Sequence, residues 1–433
     1  MRTRPNFEKK ELALSAVVYT YLPFQFPVYA FEVSHREEID GELLQQALDK
    51  TTRRMPYVTD TLEIENGAIY FAKNPLPMEA AHTAQIRRVG GAETNYHLID
   101  LTWNENKTWF SVFHGLCDGQ GFDFFVESVL YHYYCLKDGV DYEPNGIRSE
   151  HSRITNAETA DCYTISYPVP PDFAMPGRRP RVAAYHLPEI IPNPGGEILE
   201  YSFRIPSTEL IESVKANATS PVVLLGMMVS EAILRVHPDA DLPIMANIPI
   251  SVRQMLGLED TFKNCSSMIT LPVGGTPMDA LPFAERAAQL RAMLKQQLDP
   301  NLHRAANNMI GSMLRKKMAD ATDYHEEVKK ATLFSNVTHD TFQLVYLGSL
   351  HKTAYSNQIT DVHSLCPPTM GNTMSVYVIE HEGQFRVDCL ACSNISPITD
   401  ALELVFKEHG FTVGRYPVQS FTLPLTAWLE GML

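Results

Sequence analysis

Apolar positions change their spacing repeatedly along this chain, and each change predicts an element. Leu12 to Val17 and Val28 to Val33 are dense in apolar and β-branched residues and predict strands. Leu22, Pro23, Phe24, Phe26 and Pro27 form an apolar, turn-rich link between them. Leu43, Leu44, Ala47 and Leu48 recur at the spacing of one helix face; Asp40 stands at its N-cap and Arg53-Arg54-Met55-Pro56 near its end. Tyr57 to Ile64 and Ala68 to Ala72, separated by Glu65-Asn66-Gly67, predict a hairpin. Tyr96 to Leu101 and Trp109 to Phe113 predict two more strands about the turn Asn104-Glu105-Asn106, and Phe122 to Leu130 a helix with one dense apolar side.

The second half has the same mixed character. Strands are predicted at Leu199 to Phe203, Leu242 to Ile250, Ser266 to Pro272, Gln343 to Leu350, Thr373 to Ile379 and Gln384 to Ala391. Helices are predicted from Ser207 as cap, at Pro221 to Leu234, Phe283 to Leu298 and His303 to Ala321, and from Ser396-Pro397 to Gly410. Met309 and Met313 are expected to fill core gaps or line an adaptable channel. No internal repeat is legible. From Lys137 to Pro194 the chain is loop-rich, with Pro168-Val169-Pro170-Pro171 and Met175 to Arg181 breaking any regular element. A linker is therefore placed at 176–198, dividing 1–175 from 199–433. With 433 residues, 45% of them hydrophobic, two cores are expected rather than one.

The formal net charge of −15 argues against a nucleic-acid partner. The cluster Arg178, Arg179 and Arg181 reads either as a solvated loop or as a phosphate contact. The seven cysteines are scattered, and Cys389 and Cys392 have no second pair to complete a zinc site, so core thiols and no metal are expected. The first ten residues lack the apolar run of a signal peptide, and the longest apolar window, Val222 to Val229, is too short to span a bilayer. A cytoplasmic protein, monomeric and without a transmembrane segment, is expected.

The stretch Phe113-His114-Gly115-Leu116-Cys117-Asp118-Gly119 concentrates the candidate chemistry. A histidine leaves a buried strand, and an aspartate and two glycines, Gly119 and Gly121, lead into a helix. That context can hold an imidazole rigidly beside a pocket, as proton transfer requires. No strongly placed nucleophile accompanies it, which favours a base acting on a substrate's hydroxyl, amine or thiol over a covalent triad. Asp118, four residues on, can orient the ring or hold the turn; sequence leaves both open.

His114-x-x-x-Asp118-Gly119 resembles the active-site motif of the chloramphenicol acetyltransferase-like superfamily, which includes condensation domains, plant acyl-CoA-dependent acyltransferases, polyketide-associated acyltransferases and alcohol O-acetyltransferases. The resemblance implies an α/β fold of two such subdomains, with mixed sheets, flanking helices and an active-site tunnel between them. It implies His114 as general base, with Asp118, Gly119 and Arg253 as structural support; Arg253 and the stretch Phe262-Lys263-Asn264-Cys265 fall where the family places an arginine and an asparagine. Phe113 replaces the extra histidine of several branches, and the Asp-Phe-Gly-Trp-Gly sequence of the plant branch is absent. Nearest in appearance is the alcohol O-acetyltransferase branch.

The strand at Tyr346-Leu347-Gly348 resembles a late family element facing the tunnel, making Tyr346, Gly348 and Thr373 candidates for tunnel or oxyanion positions. Ser349, Asn372 and Ser375 are further hydroxyl or amide candidates, and His339 with Asn336 a possible substrate contact; each also reads as an ordinary polar residue. The activity implied is transfer of an acyl group from acyl-CoA, as co-substrate and with no tightly bound cofactor, to a small alcohol or amine. Alternatives are a stand-alone condensation-type protein drawing on an acylated carrier protein and a non-catalytic binding protein of the same fold.

Overall fold

The computed structural model describes residues 4–21, 28–175, 183–187, 196–335, 340–349, 355–366, 368, 374–424 and 426. A five-stranded sheet organises the first half, in the order Ile359–Leu365, Val28–His35, Lys107–Phe113, Ile99–Asn104, Ala81–His82. Its pairings are antiparallel except the last, which is parallel. Helices Gly41–Arg54 and Gly119–Asp138 pack on each other and share one core with this sheet. The contact is aromatic: Phe122 stacks on Phe31 with centroids 5.5 Å apart, and Phe125 meets Phe110 edge-on at 6.3 Å. Asp40 caps the first helix by accepting from the amides of Glu42 and Leu43. A smaller sheet, Glu8–Leu12, Ala68–Lys73, Thr61–Glu65, contains the expected hairpin, but its first arm starts at Thr61, after a 3-10 turn at Pro56–Thr59 where a strand from Tyr57 was expected.

The second half is built on an eight-stranded mixed sheet in the order Ser266–Gly274, Ile244–Ser251, Phe342–Ser349, Ser375–His381, Gln384–Ala391, Ile198–Pro206, Gly414–Arg415, with Gln419–Phe421 also on Ile198–Pro206. Helix Pro221–Val236 lies against Ser396–Glu408 and Ser266–Gly274. It is apolar all round because it is the core of this half: Leu224, Met227, Met228 and Val229 are buried. No single helix among the described residues is long and apolar enough to cross a membrane.

Several expectations are corrected. Leu12 to Val17 is not a strand: the strand is Glu8–Leu12, followed by a 3-10 turn at Leu14–Ala16 and a helix at Val17–Tyr21. Ala13, Leu14, Ser15 and Ala16 are all buried, so apolar spacing carries no period there. A bond from the Ser15 amide to Asp161 Oδ2, 3.1 Å, fixes the turn. Ser207 opens its helix without capping it; its Oγ donates to Glu380 Oε1 at 3.3 Å. Ser396 likewise starts a helix whose N-cap position is Ile395. Met309 and Met313 are 60% and 61% exposed and fill no gap. None of the seven cysteines is in a disulfide, and five of them are buried.

Ile359–Leu365 is a strand the periodicity does not mark, and it matters most. It belongs to the second half by sequence, yet it completes the first half's sheet, with Val362 opposite Val33 and His363 opposite Glu32. A division at 176–198 leaves this exchange out. His363 pins the two halves: Nε2 lies 2.9 Å from Glu32 Oε1, and Nδ1 3.2 Å from Glu200 Oε1 on strand Ile198–Pro206. Trp109 Nε1 and Lys107 Nζ also donate to Glu32, and Arg386 pairs with Glu200 at 2.8 Å.

Burial alone pushes the His363 pKa down; the carboxylates of Glu200 and Glu32 outweigh it and raise it to about 9. Opposed by the same burial, the facing His363 holds Glu32 and Glu200 at about 2. The histidine's contribution is therefore complete below its ordinary value of 6.5 and is lost as pH rises through about 9. The two glutamates contribute above their ordinary 4.5 and lose that contribution as pH falls towards 2. The urea midpoint is expected to fall across the upper window by an amount equivalent to on the order of 2–3 kcal/mol. His363→Gln should remove that slope; a wild-type midpoint flat from pH 6.5 to 9.5 contradicts the assignment.

Candidate active site

The motif strand Lys107–Phe113 ends at His114, and Gly115 to Cys117 carry the chain to Asp118, the N-cap of Gly119–Asp138. Asp118 is a nearly saturated acceptor. Its Oδ1 takes the Gly121 amide at 2.9 Å, and its Oδ2 the Cys265 amide at 2.8 Å. Arg253 reaches both oxygens, at 2.7 and 2.8 Å. Neither oxygen bonds the imidazole, so Asp118 positions the turn rather than the ring. Arg253, 1% exposed, also donates to the carbonyls of Thr261 and Lys263 at 3.0 and 2.9 Å. The pair thus bolts the loop 261–265 of the second half onto the helix start of the first. That loop delivers Asn264, whose Nδ2 donates to the His114 carbonyl oxygen.

The His114 ring lies between two tyrosines. Tyr19 stacks on it with centroids 4.3 Å apart and planes 9° apart; Tyr29 leans on it at 4.8 Å and 57°. Nδ1 is sealed from solvent with no hydrogen-bond partner, and His114's own carbonyl lies near the ring. The residue as a whole keeps partial exposure. Burial lowers the His114 pKa below 6.5, against a raising influence from that carbonyl and from Asp118. The ring is therefore neutral at pH 7. Cys117, three residues on, is no rival nucleophile: it is fully buried, and burial pushes its thiol pKa well up.

Of the two turn glycines, Gly121 is the one the geometry requires. A Cβ there would stand 2.1 Å from the Phe262 carbonyl oxygen and 3.0 Å from Cys117 Cβ. A Cβ on Gly119 would meet only Leu347 Cδ2, at 3.7 Å. The support role assigned to Gly119 thus passes to Gly121. Gly121→Ala is expected to lower the unfolding free energy by about 2–3 kcal/mol, as overpacking against backbone does, and Gly119→Ala by under about 0.5 kcal/mol. Urea titration of both variants checks this; equal losses contradict it.

The late strand Phe342–Ser349 presents alternate residues to two cores. Val345 and Leu347 pack with the first half, while Tyr346 turns the other way, its ring 6.0 Å from Phe385 in the second core. Tyr346 is thus not brought to His114. Gly348 has φ +74°, where the register with Ser375–His381 slips, and glycine suits that backbone. Ser375 is buried and its Oγ donates to Gln343 Oε1 at 3.4 Å; Ser349 ends the strand exposed. Thr373 and Asn372 lie outside the described residues, as do Asn336, His339, the cluster Arg178, Arg179 and Arg181, and the link 22–27.

Sequence reasoning missed Tyr19 and Tyr29. Tyr29 was findable, since it pairs with Val112, two residues before His114. Tyr19 falls just after the segment misread as a strand.

No family model matches the sequence, and no curated protein matches it. Solved structures do match in fold. Polyketide synthase associated protein 5 from Mycobacterium tuberculosis has a TM-score of 0.60 at 13% identity, over 94% of this chain and 99% of that one. TRI101 of F. sporotrichioides, complexed with coenzyme A and T-2, has 0.61 at 12%, over 92% and 98%. The first condensation domain of the calcium-dependent antibiotic synthetase, with substrate analogue 3a, has 0.61 at 13%, over 94% and 96%. At such identities the likeness shows the fold alone: a mixed α/β architecture shared with these structures over nearly the whole chain.

Proposed function

We propose that this chain is an acyltransferase that moves an acyl group from acyl-CoA to an alcohol or amine, with His114 as general base. The observation that supports the reading is a neutral imidazole packed against Tyr19 and Tyr29 at the turn into the motif helix, its Nδ1 sealed from solvent and its residue partly exposed. Nε2 takes the proton from the acceptor as its oxygen or nitrogen attacks the thioester carbonyl. The tetrahedral intermediate then collapses, the carbon–sulfur bond breaks, and the imidazolium returns the proton to the departing thiolate. Atoms and charge balance with no covalent enzyme intermediate, consistent with the buried thiol of Cys117.

Asp118 and Arg253 serve by positioning, through the turn that carries His114 and the loop that carries Asn264. A dry passage between the halves would protect the thioester from water. A panel of acyl-CoAs offered with varied alcohols and amines, read as free thiol release, tests the reading. Transfer from an acylated carrier protein but from no acyl-CoA would move the chain to the condensation-type reading; no transfer from either donor would leave a binding protein.

A further inference from the structure

We infer that Tyr19 stabilises the protonated form of His114 through the face of its ring, and so sets the strength of the proposed base. The inference deepens the transferase reading and rests on it only for the word base. A general base is a cation for part of each cycle. Among the described residues no carboxylate bonds this imidazole to meet that charge. Both Asp118 oxygens are taken, by Arg253 and by the amides of Gly121 and Cys265. Nδ1 of the ring has no hydrogen-bond partner. What the ring does have is Tyr19, stacked on it with centroids 4.3 Å apart and planes within 9°. Tyr29, tilted at 57°, presents no parallel face.

An aromatic face is the negative side of the ring quadrupole. A cation within about 6 Å of the centroid is attracted to it, most strongly where water is excluded. Tyr19 acts by that face and not by a charge of its own, because burial, with the nearby Asp118 charge, pushes its phenol pKa up and keeps the proton on. Tyr29 and Cys117, the other titratable groups beside the ring, are kept neutral by burial in the same way. The charge of Asp118 is matched by Arg253. The stack is also fixed in place. Tyr19 belongs to the helix Val17–Tyr21, where Thr20 Oγ1 donates to the Ala16 carbonyl at 2.8 Å and the Thr20 carbonyl accepts from the Tyr324 hydroxyl at 2.7 Å. Tyr324 opens the helix Tyr324–Ser335 of the second half, so both halves hold the tyrosine over the imidazole. Its action on the reaction runs through His114, which makes it a positioning residue.

Burial lowers the His114 pKa below 6.5, and a stabilising face and a mere cover predict opposite signs when Tyr19 is lost. Without the face, an apolar side chain in its place lowers the pKa further. Without a cover, water enters and the pKa returns towards 6.5. An NMR titration of the full chain, with neither donor nor acceptor present, measures it; the His114 signal is the one absent from His114→Ala. Tyr19→Leu is expected to lower the His114 pKa by about 1, a tenfold change in proton affinity. Tyr19→Phe keeps the face and should shift it by under about 0.3. Phenylalanines with successively more ring fluorines at position 19 keep the shape while draining the face, and should lower the pKa stepwise; they decide the matter if Tyr19→Leu does not fold. In turnover, the rising limb of the Tyr19→Leu pH–rate profile should move to lower pH by the same step. Its plateau should stand about 3- to 10-fold lower, as a weaker base gives, with donor KM unchanged. A pKa that rises in Tyr19→Leu, or that ignores the fluorine count, overturns the inference. The expected pKa shifts with no acyl transfer from any donor keep the role of the stack and remove the transferase reading instead.

Discussion

His114→Ala is expected to lower acyl transfer about 1,000-fold, within the usual 10²–10⁴ contribution of a positioned general base, and to leave the fold intact. The fold survives because the anchoring bond at this position comes from Asn264 to the main-chain carbonyl, which alanine keeps. What disappears is the nitrogen held between Tyr19 and Tyr29. The pH–rate profile gives a second readout. Because burial lowers the histidine's pKa from 6.5, the wild-type rate should rise with pH along a limb lying below that value and then level off. The alanine variant should lack the limb. Retention of more than about a tenth of the wild-type rate would falsify the base role.

Arg253→Ala carries the largest expected loss of stability, about 3–5 kcal/mol, because it strands the Asp118 carboxylate in a dry interior. The guanidinium bonds both Asp118 oxygens and two carbonyls of the loop 261–265, so several groups lose partners together. Arg253→Lys should recover only part, since an ammonium cannot match the planar fork. The double variant Asp118→Asn with Arg253→Met should be more stable than Arg253→Ala alone, because no buried charge is left unmatched. Urea unfolding of the set decides it: a loss below about 1 kcal/mol for Arg253→Ala means that the pair is not what holds the loop.

Much of this was legible in the sequence for a physical reason. Turns, caps and amphipathic spacing are local, so the motif strand and the Asp40-capped helix are found close to their predicted bounds, and the motif helix is found in place but runs on from Leu130 to Asp138. The turn that presents His114 is equally local. What failed depends on distant chain. Ala13 to Val17 is buried throughout, and bonds to distant chain, among them that from Ser15 to Asp161, hold a turn there rather than a strand. Whether Asp118 faces the imidazole or Arg253 is decided by residues 135 positions away. Tyr346 was placed towards the tunnel by analogy, but strand alternation combined with the position of Phe385 turns it outward. The strand Ile359–Leu365 escaped notice because its partner lies in the other half.

That borrowed strand ties the fate of one lobe to translation of the other. Until residues 359–365 leave the ribosome, Val28–His35 has no neighbour on that side and offers a row of bare amides and carbonyls to any extended chain nearby. The nascent protein therefore carries a sticky margin for most of its synthesis, and a gene cut between the lobes would yield a fragment that keeps it.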